Sequence, residues 1–212
     1  RFNHLHKPFD NAKVRQAVLY GLGQKEFLEA NVGNPEYYRV CNSLFPCGSP
    51  LESTKGWEDK LSGNAAKAKQ LLQEAGYDGT PVVIIDPPTN DRIHAMSLMT
   101  AQRLRDAGVN VDVQAMDLGT WASRRATKAA PKDDPAGWNI FHTHGKLAGQ
   151  GDPLANAGAA TPCDQKNWHG WPCDEELNRI RIDYATTPVD GRKAWVDQFQ
   201  TRFYQVLPYI PV

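Results

Sequence analysis

The sequence predicts an α/β fold built on a small, mostly parallel sheet. Three observations carry this. Pro81-Val82-Val83-Ile84-Ile85-Asp86 is a continuous apolar run of strand length, and a run without polar alternation suits a strand covered on both faces. Val109, Val111, Val113 and Ala115 alternate with Asn110, Asp112 and Gln114, the period of a half-exposed strand. Between these two, residues 91–107 place Ile93, Met96, Thr100 and Leu104 in helical register, with Gly108 just beyond. Strand, helix and strand together form a βαβ crossover, which is expected to be right-handed.

The remaining elements follow in chain order. Residues 11–22 carry Val14, Ala17, Val18 and Leu22 on one helical face, with Asp10 or Asn11 as cap. A short helix over about 24–31 should stop at Gly33. Residues 33–63 are rich in Pro, Gly, Asn and Ser and read as a long ordered loop. Asn64 caps a helix whose buried face is Ala65, Ala68, Leu71, Leu72 and Ala75, ended by Gly76. After the crossover come a helix near 119–128, a Lys/Asp/Pro-rich loop at 131–137 and a strand over 138–142. Residues 145–173 form a Gly-, Ala- and Asn-rich loop. Asp174 caps a helix carrying Leu177, Ile180 and Tyr184. Pro188 opens a last helix carrying Trp195, Phe199, Phe203 and Val206, and Pro208 stops it.

Composition excludes several function classes. The 24 Lys and Arg balance the 24 Asp and Glu, so there is no basic excess for a nucleic-acid footprint or a polybasic membrane anchor. With 41% hydrophobic and 23% charged residues the chain is not disordered. No apolar run reaches the length of a membrane-spanning helix. Residues 1–6 have neither the apolar stretch nor the cleavage site of a signal peptide, and the first residue is not Met. The chain is therefore expected to begin inside a longer polypeptide. The apolar end Pro208-Tyr209-Ile210-Pro211-Val212 is expected to continue into further chain, the alternative being a terminal strand paired in a sheet.

Four cysteines form two local groups, Cys41 with Cys47 and Cys163 with Cys173, each among prolines. Of the three possible connectivities the local one is geometrically easiest. Such bridges would place the protein in an oxidising compartment. Four unpaired thiols are the alternative. The spacings do not match a zinc pattern.

Nucleophile-elbow, phosphate-loop, zinc-protease and dinucleotide motifs are absent from the sequence. His4/His6 and His142/His144 are His-x-His pairs, but neither has a carboxylate or Cys at ligand spacing, so no metal is assigned. The plainer reading puts His142 and His144 at the mouth of a strand. In an open α/β sheet the carboxyl ends of the strands are where ligands sit.

Several segments resemble one family. They are Asn3, Pro8-Phe9-Asp10-Asn11 and Val14-Arg15-Gln16-Ala17, then Ala68-Lys69-Gln70-Leu71-Leu72-Gln73-Glu74-Ala75-Gly76-Tyr77, then Leu104-Arg105-Asp106-Ala107-Gly108-Val109-Asn110-Val111, then Gly151-Asp152-Pro153. In this order they resemble the second large lobe of bacterial extracellular solute-binding proteins, family 5, which serve peptide-type ABC importers. The pair Cys163/Cys173 before an Asp-capped helix resembles a disulfide in dipeptide-binding members. The resemblance implies that residues 1–212 are a single lobe, a fragment of a two-lobed periplasmic-binding-protein-like fold that closes on its ligand like a hinged clamp. It implies no catalysis and no cofactor. The implied partners are a small solute, peptide or anionic and peptide-like, an ABC permease in the membrane, and the missing N-terminal lobe. The implied location is periplasmic or extracytoplasmic, with or without a lipoprotein anchor.

The resemblance also directs attention to particular residues. Peptide binders often hold the ligand ammonium with an Asp shortly before the Asp-Pro pair. Counting back from Asp152-Pro153 puts Gly149 there, and residues 140–151 contain no acid. A buried ammonium without a counter-charge is costly, unless Asp152 or the other lobe supplies it. Arg92 and His94 open the crossover helix, where the family's carboxylate-binding Arg lies. His142, His144 and Lys146 follow the adjacent strand. Arg92, His94, His142, His144, Lys146 and Asp152 are the candidate ligand-binding residues, and the expected preference is for an anionic ligand. For Trp121, core packing competes with ligand stacking. Two other readings stand beside the transport one: a small hydrolase-like α/β enzyme using His142 or His144 with Asp152 as acid–base groups, and a ligand-sensing domain of a signalling protein.

Overall fold

The structure, a computed structural model, describes residues 1–146 and 149–212. Leu147 and Ala148, inside the loop expected over 145–173, lie outside the described residues. The described chain falls into two compact units. The first comprises residues 1–40, 60–144 and Val212, and the second residues 41–59 and 145–211.

The first unit holds the sheet. β1 (Val82–Asp86), β2 (Val111–Ala115) and β3 (Ile140–Phe141) are all parallel, in the order β2-β1-β3. Central β1 is buried along its whole length, as an unbroken apolar run requires. Edge strand β2 is half-exposed, as its alternation requires. Register pairs Val82 with Val111 on one side and Ile84 with Ile140 on the other. β3 is shorter than the five-residue strand expected over 138–142. Asn139 explains this: its backbone N–H donates to Val83 O at 2.9 Å while its side-chain oxygen accepts from Val83 N at 2.8 Å. A side chain thus substitutes for one rung of the ladder.

Helices α1 (Ala12–Gly21), α2 (Gln24–Val32), α3 (Ala65–Glu74), α4 (Asp91–Asp106) and α5 (Leu118–Arg124) complete this unit. Their starts are set by caps. Asn11 accepts from Lys13 N, Asn64 from Lys67 N, Asn90 from Ile93 N and Asp117 from Thr120 N, each satisfying a donor that the helix leaves unpaired. Gly33 ends α2 at φ 78°, a conformation that costs glycine nothing. Buried Arg15 donates to Phe9 O at 2.6 Å, so the Pro8-Phe9-Asp10-Asn11 turn and the Val14-Arg15-Gln16-Ala17 helix are one structural device. α5 is shorter than the expected 119–128: it ends at Arg124, whose side chain donates to Ala136 O and Gly137 O at 2.9 and 2.7 Å.

The second unit is built on α6 (Glu175–Thr186) and α7 (Arg192–Val206). Pro188 does not open α7, as the sequence suggested. It caps a 3-10 turn over Val189–Gly191, and the α-helix begins at Arg192. Both local disulfides form, Cys41–Cys47 and Cys163–Cys173, with Cα separations of 5.7 and 4.5 Å. No helix among the described residues is long and apolar enough to cross a membrane.

Candidate functional site

The carboxyl edge of the sheet is set by the ends of β1 and β3. Side chains alternate along a strand, so Ile84 and Asp86 share one face with Ile140 and His142, while Phe141 takes the other. Contacts bear this out. Asp86 and His142 both meet α4, whereas Phe141 meets Trp121 of α5 edge-on at 6.1 Å.

On the α4 face, Asp86 is 1% exposed. Its Oδ2 lies 2.7 Å from Nδ1 of His94, which remains 37% exposed at the side chain. The other oxygen, Oδ1, is buried with no hydrogen-bond partner. His142 is buried, with Nδ1 3.3 Å from Ser97 Oγ and Nε2 2.9 Å from Thr100 Oγ1. Ser97 donates its only hydroxyl hydrogen to Ile93 O at 2.9 Å. It can therefore only accept from His142, which fixes the Nδ1–H tautomer and makes Nε2 the acceptor of the Thr100 hydroxyl. Burial holds the His142 pKa well below its ordinary 6.5, so the ring is neutral.

The expected site residues therefore separate. His94 reaches the edge with one nitrogen engaged. His142 has both nitrogens committed inside the fold, which corrects the expectation that it faces a ligand. His144 is exposed, so the two histidines of this His-x-His segment differ in environment. Arg92 is exposed. Two positions along a helix are about 200° apart, so Arg92 and His94 leave the first turn of α4 on different sides. Trp121 is buried at 5% exposure, with the Arg125 guanidinium stacked 4.0 Å from its ring centre. Burial lowers the Arg125 pKa from its ordinary value.

Lys146 and Asp152 belong to the second unit. Lys146 is exposed, as is Gly149. Asp152 is occupied locally: Oδ1 accepts from Leu154 N at 2.7 Å, and Oδ2 accepts from the Tyr184 hydroxyl at 2.5 Å. Burial and this bond push the Tyr184 phenol up to about 12. Arg181 holds the same turn through Pro153 O and Leu154 O. Asp152 thus builds the Gly151-Asp152-Pro153 loop, with each oxygen already accepting a hydrogen bond within the second unit.

The sequence reading missed Asp86, Ser97 and Thr100. Asp86 carried a usable signal, an acid ending a wholly apolar strand at the edge where ligands sit. Thr100 was legible as part of the buried face of α4 but not as a partner of His142, and Ser97 carried no signal, because a polar residue inside a helical face has no pattern of its own.

Residues 1–134, which include β1 and α4, match the family of bacterial extracellular solute-binding proteins, family 5, middle region. The chain belongs to this family. A peptide ABC transporter periplasmic-binding protein of Sinorhizobium fredii is 33% identical over the whole chain, which spans 40% of that relative. The glutathione-binding protein of Pectobacterium atrosepticum is 30% identical over 95% of the chain, which spans 32% of it. The Listeria monocytogenes substrate-binding protein CtaP shares the fold with a TM-score of 0.78 at 19% identity, over 96% of this chain and 40% of that one. A Pseudoalteromonas dipeptide-binding protein, solved with Met-Leu, gives 0.68 at 23% identity over 98% and 40%. The chain therefore spans less than half the length of these relatives and of these structures.

Proposed function

We propose that residues 1–212 are one lobe of the solute-binding component of a peptide-type ABC importer. This lobe and an N-terminal lobe capture a peptide or similar small solute between them and deliver it to a membrane permease. The observation that carries this is the family 5 match over residues 1–134, which covers β1 and the α4 turn that carries Arg92 and His94. The relatives' names, peptide and glutathione, support a peptide-class solute, and the periplasmic name of the first supports an extracytoplasmic location. The two disulfides suit that compartment.

The solute carries a carboxylate or other anionic group toward this lobe. Arg92 and His144 are exposed and supply a cationic and an imidazole group. Gly149 removes the acid that would favour a free ammonium. Asp86 stands at the end of β1, but its one bonded oxygen is taken by His94. The family match favours transport over the enzyme reading: of that reading's groups, His142 has both nitrogens engaged and Asp152 is tied into its own loop, while His144 is exposed.

Titration calorimetry on the full-length protein tests the proposal with di- and tripeptides, glutathione and an uncharged oligosaccharide. Saturable binding of a peptide-class solute is the expected result. Tight binding of the oligosaccharide with no peptide bound would contradict it.

A further inference from the structure

Asp86 is a costly residue for the fold. Its carboxylate is almost wholly buried, one oxygen touches only His94, and the other has no partner. Burying a polar atom unpaired destabilises, and an apolar side chain of similar size would end β1 without that cost. The backbone does not need the acid either, since the strand end is tied by Met116 N to Asp86 O at 2.9 Å. What the carboxylate does is engage one nitrogen of a half-exposed histidine at the edge of the sheet.

We infer that Asp86 is a positioning residue of the solute site, and that through it His94 reads a hydrogen-bond donor on the solute, an N–H or O–H. This rests on the solute-binding reading above. An ionised carboxylate only accepts, so the ring carries its proton on Nδ1, at 2.7 Å. In a neutral imidazole the other nitrogen is then a bare acceptor. Nε2, on the far side of the ring from Asp86, is the nitrogen left to the solute. The amide N–H of an acylated amino acid has that chemistry.

Nitrogen-15 NMR of histidine-labelled full-length protein at neutral pH reads the tautomer directly. His94 should show a protonated Nδ1 and a bare Nε2, and Asp86→Leu should erase that preference without lowering the melting temperature. His94 found as the Nε2–H tautomer or as imidazolium would overturn the inference, whether or not any solute binds. Glutathione is the binding probe. Asp86→Leu should weaken it by about tenfold, the scale of one well-placed hydrogen bond, and should cause no further loss in a His94→Ala background. Equal losses in both backgrounds would make Asp86 a packing residue and overturn its positioning role. Failure of glutathione and the peptides to bind wild-type protein would count against the solute reading, while the tautomer would still decide the role of Asp86.

Discussion

His142 shows how one side chain ties the sheet edge to α4 and what that costs. Ser97 and Thr100 engage its two nitrogens, and burial keeps the ring neutral. The unfolded chain binds a proton near pH 6.5 that the folded chain refuses. Stability contributed by the neutral ring is therefore complete above that pH and is lost as pH falls toward the depressed folded value. Thermal melts from pH 7.5 down to pH 5 should show a falling midpoint, and His142→Gln should flatten this slope. An unchanged slope would mean that the ring is not held neutral. His94 and Asp86 show the limit of reading residues one at a time. Arg92 and His94 could be placed on the first turn of a helix from periodicity alone. Asp86 reads only as the polar exit of an apolar strand into Pro87-Pro88, and its role depends on a partner eight residues away across the turn.

At the scale of elements, caps and strand periodicity made most of the fold legible. Asn11, Asn64 and Asp174 each begin the helix their position suggested. One misjudged element, β3, is cut short by a polar contact from outside it: Asn139 replaces one ladder bond beside the strand. Asp174 has such an outside contact in addition to its cap. It accepts from Leu177 N at 2.7 Å and also holds Arg202 of α7 with both oxygens, at 3.0 and 2.7 Å. Asp174→Ala should cost about 2 kcal/mol, about 1 from the cap and about 1 from the pair, the latter reduced because Arg202 is partly exposed. Asp174→Asn keeps the cap and should recover about half. Urea denaturation followed by circular dichroism measures both, and equal losses for the two variants would assign the whole effect to the ion pair.

At the scale of the molecule, the two compact units were not legible in the sequence. Residues 33–63 and 145–173 both read as loops, and nothing in their composition shows that residues 41–59 belong with α7. Gln200 joins them. It is wholly buried on an otherwise aromatic helix face and bonds Leu44 N, Ser53 O and Lys55 O. One polar residue has no periodicity, so its partners appear only in three dimensions. The disulfides add to the second unit, each closing a loop short enough to contribute about 2–3 kcal/mol in the chain-entropy model.

The central claim is that this lobe holds an anionic group of a captured solute through Arg92 at the start of α4. Titration calorimetry comparing wild-type full-length protein with its Arg92→Ala variant tests it most directly, using the peptide-class solute that binds best. Arg92→Ala should weaken binding by about 1.5–3 kcal/mol if closure buries its charged hydrogen bond. Lys146→Ala, losing a flexible exposed ammonium, should change it by less than about 1 kcal/mol. Unchanged affinity in the Arg92 variant would contradict the account.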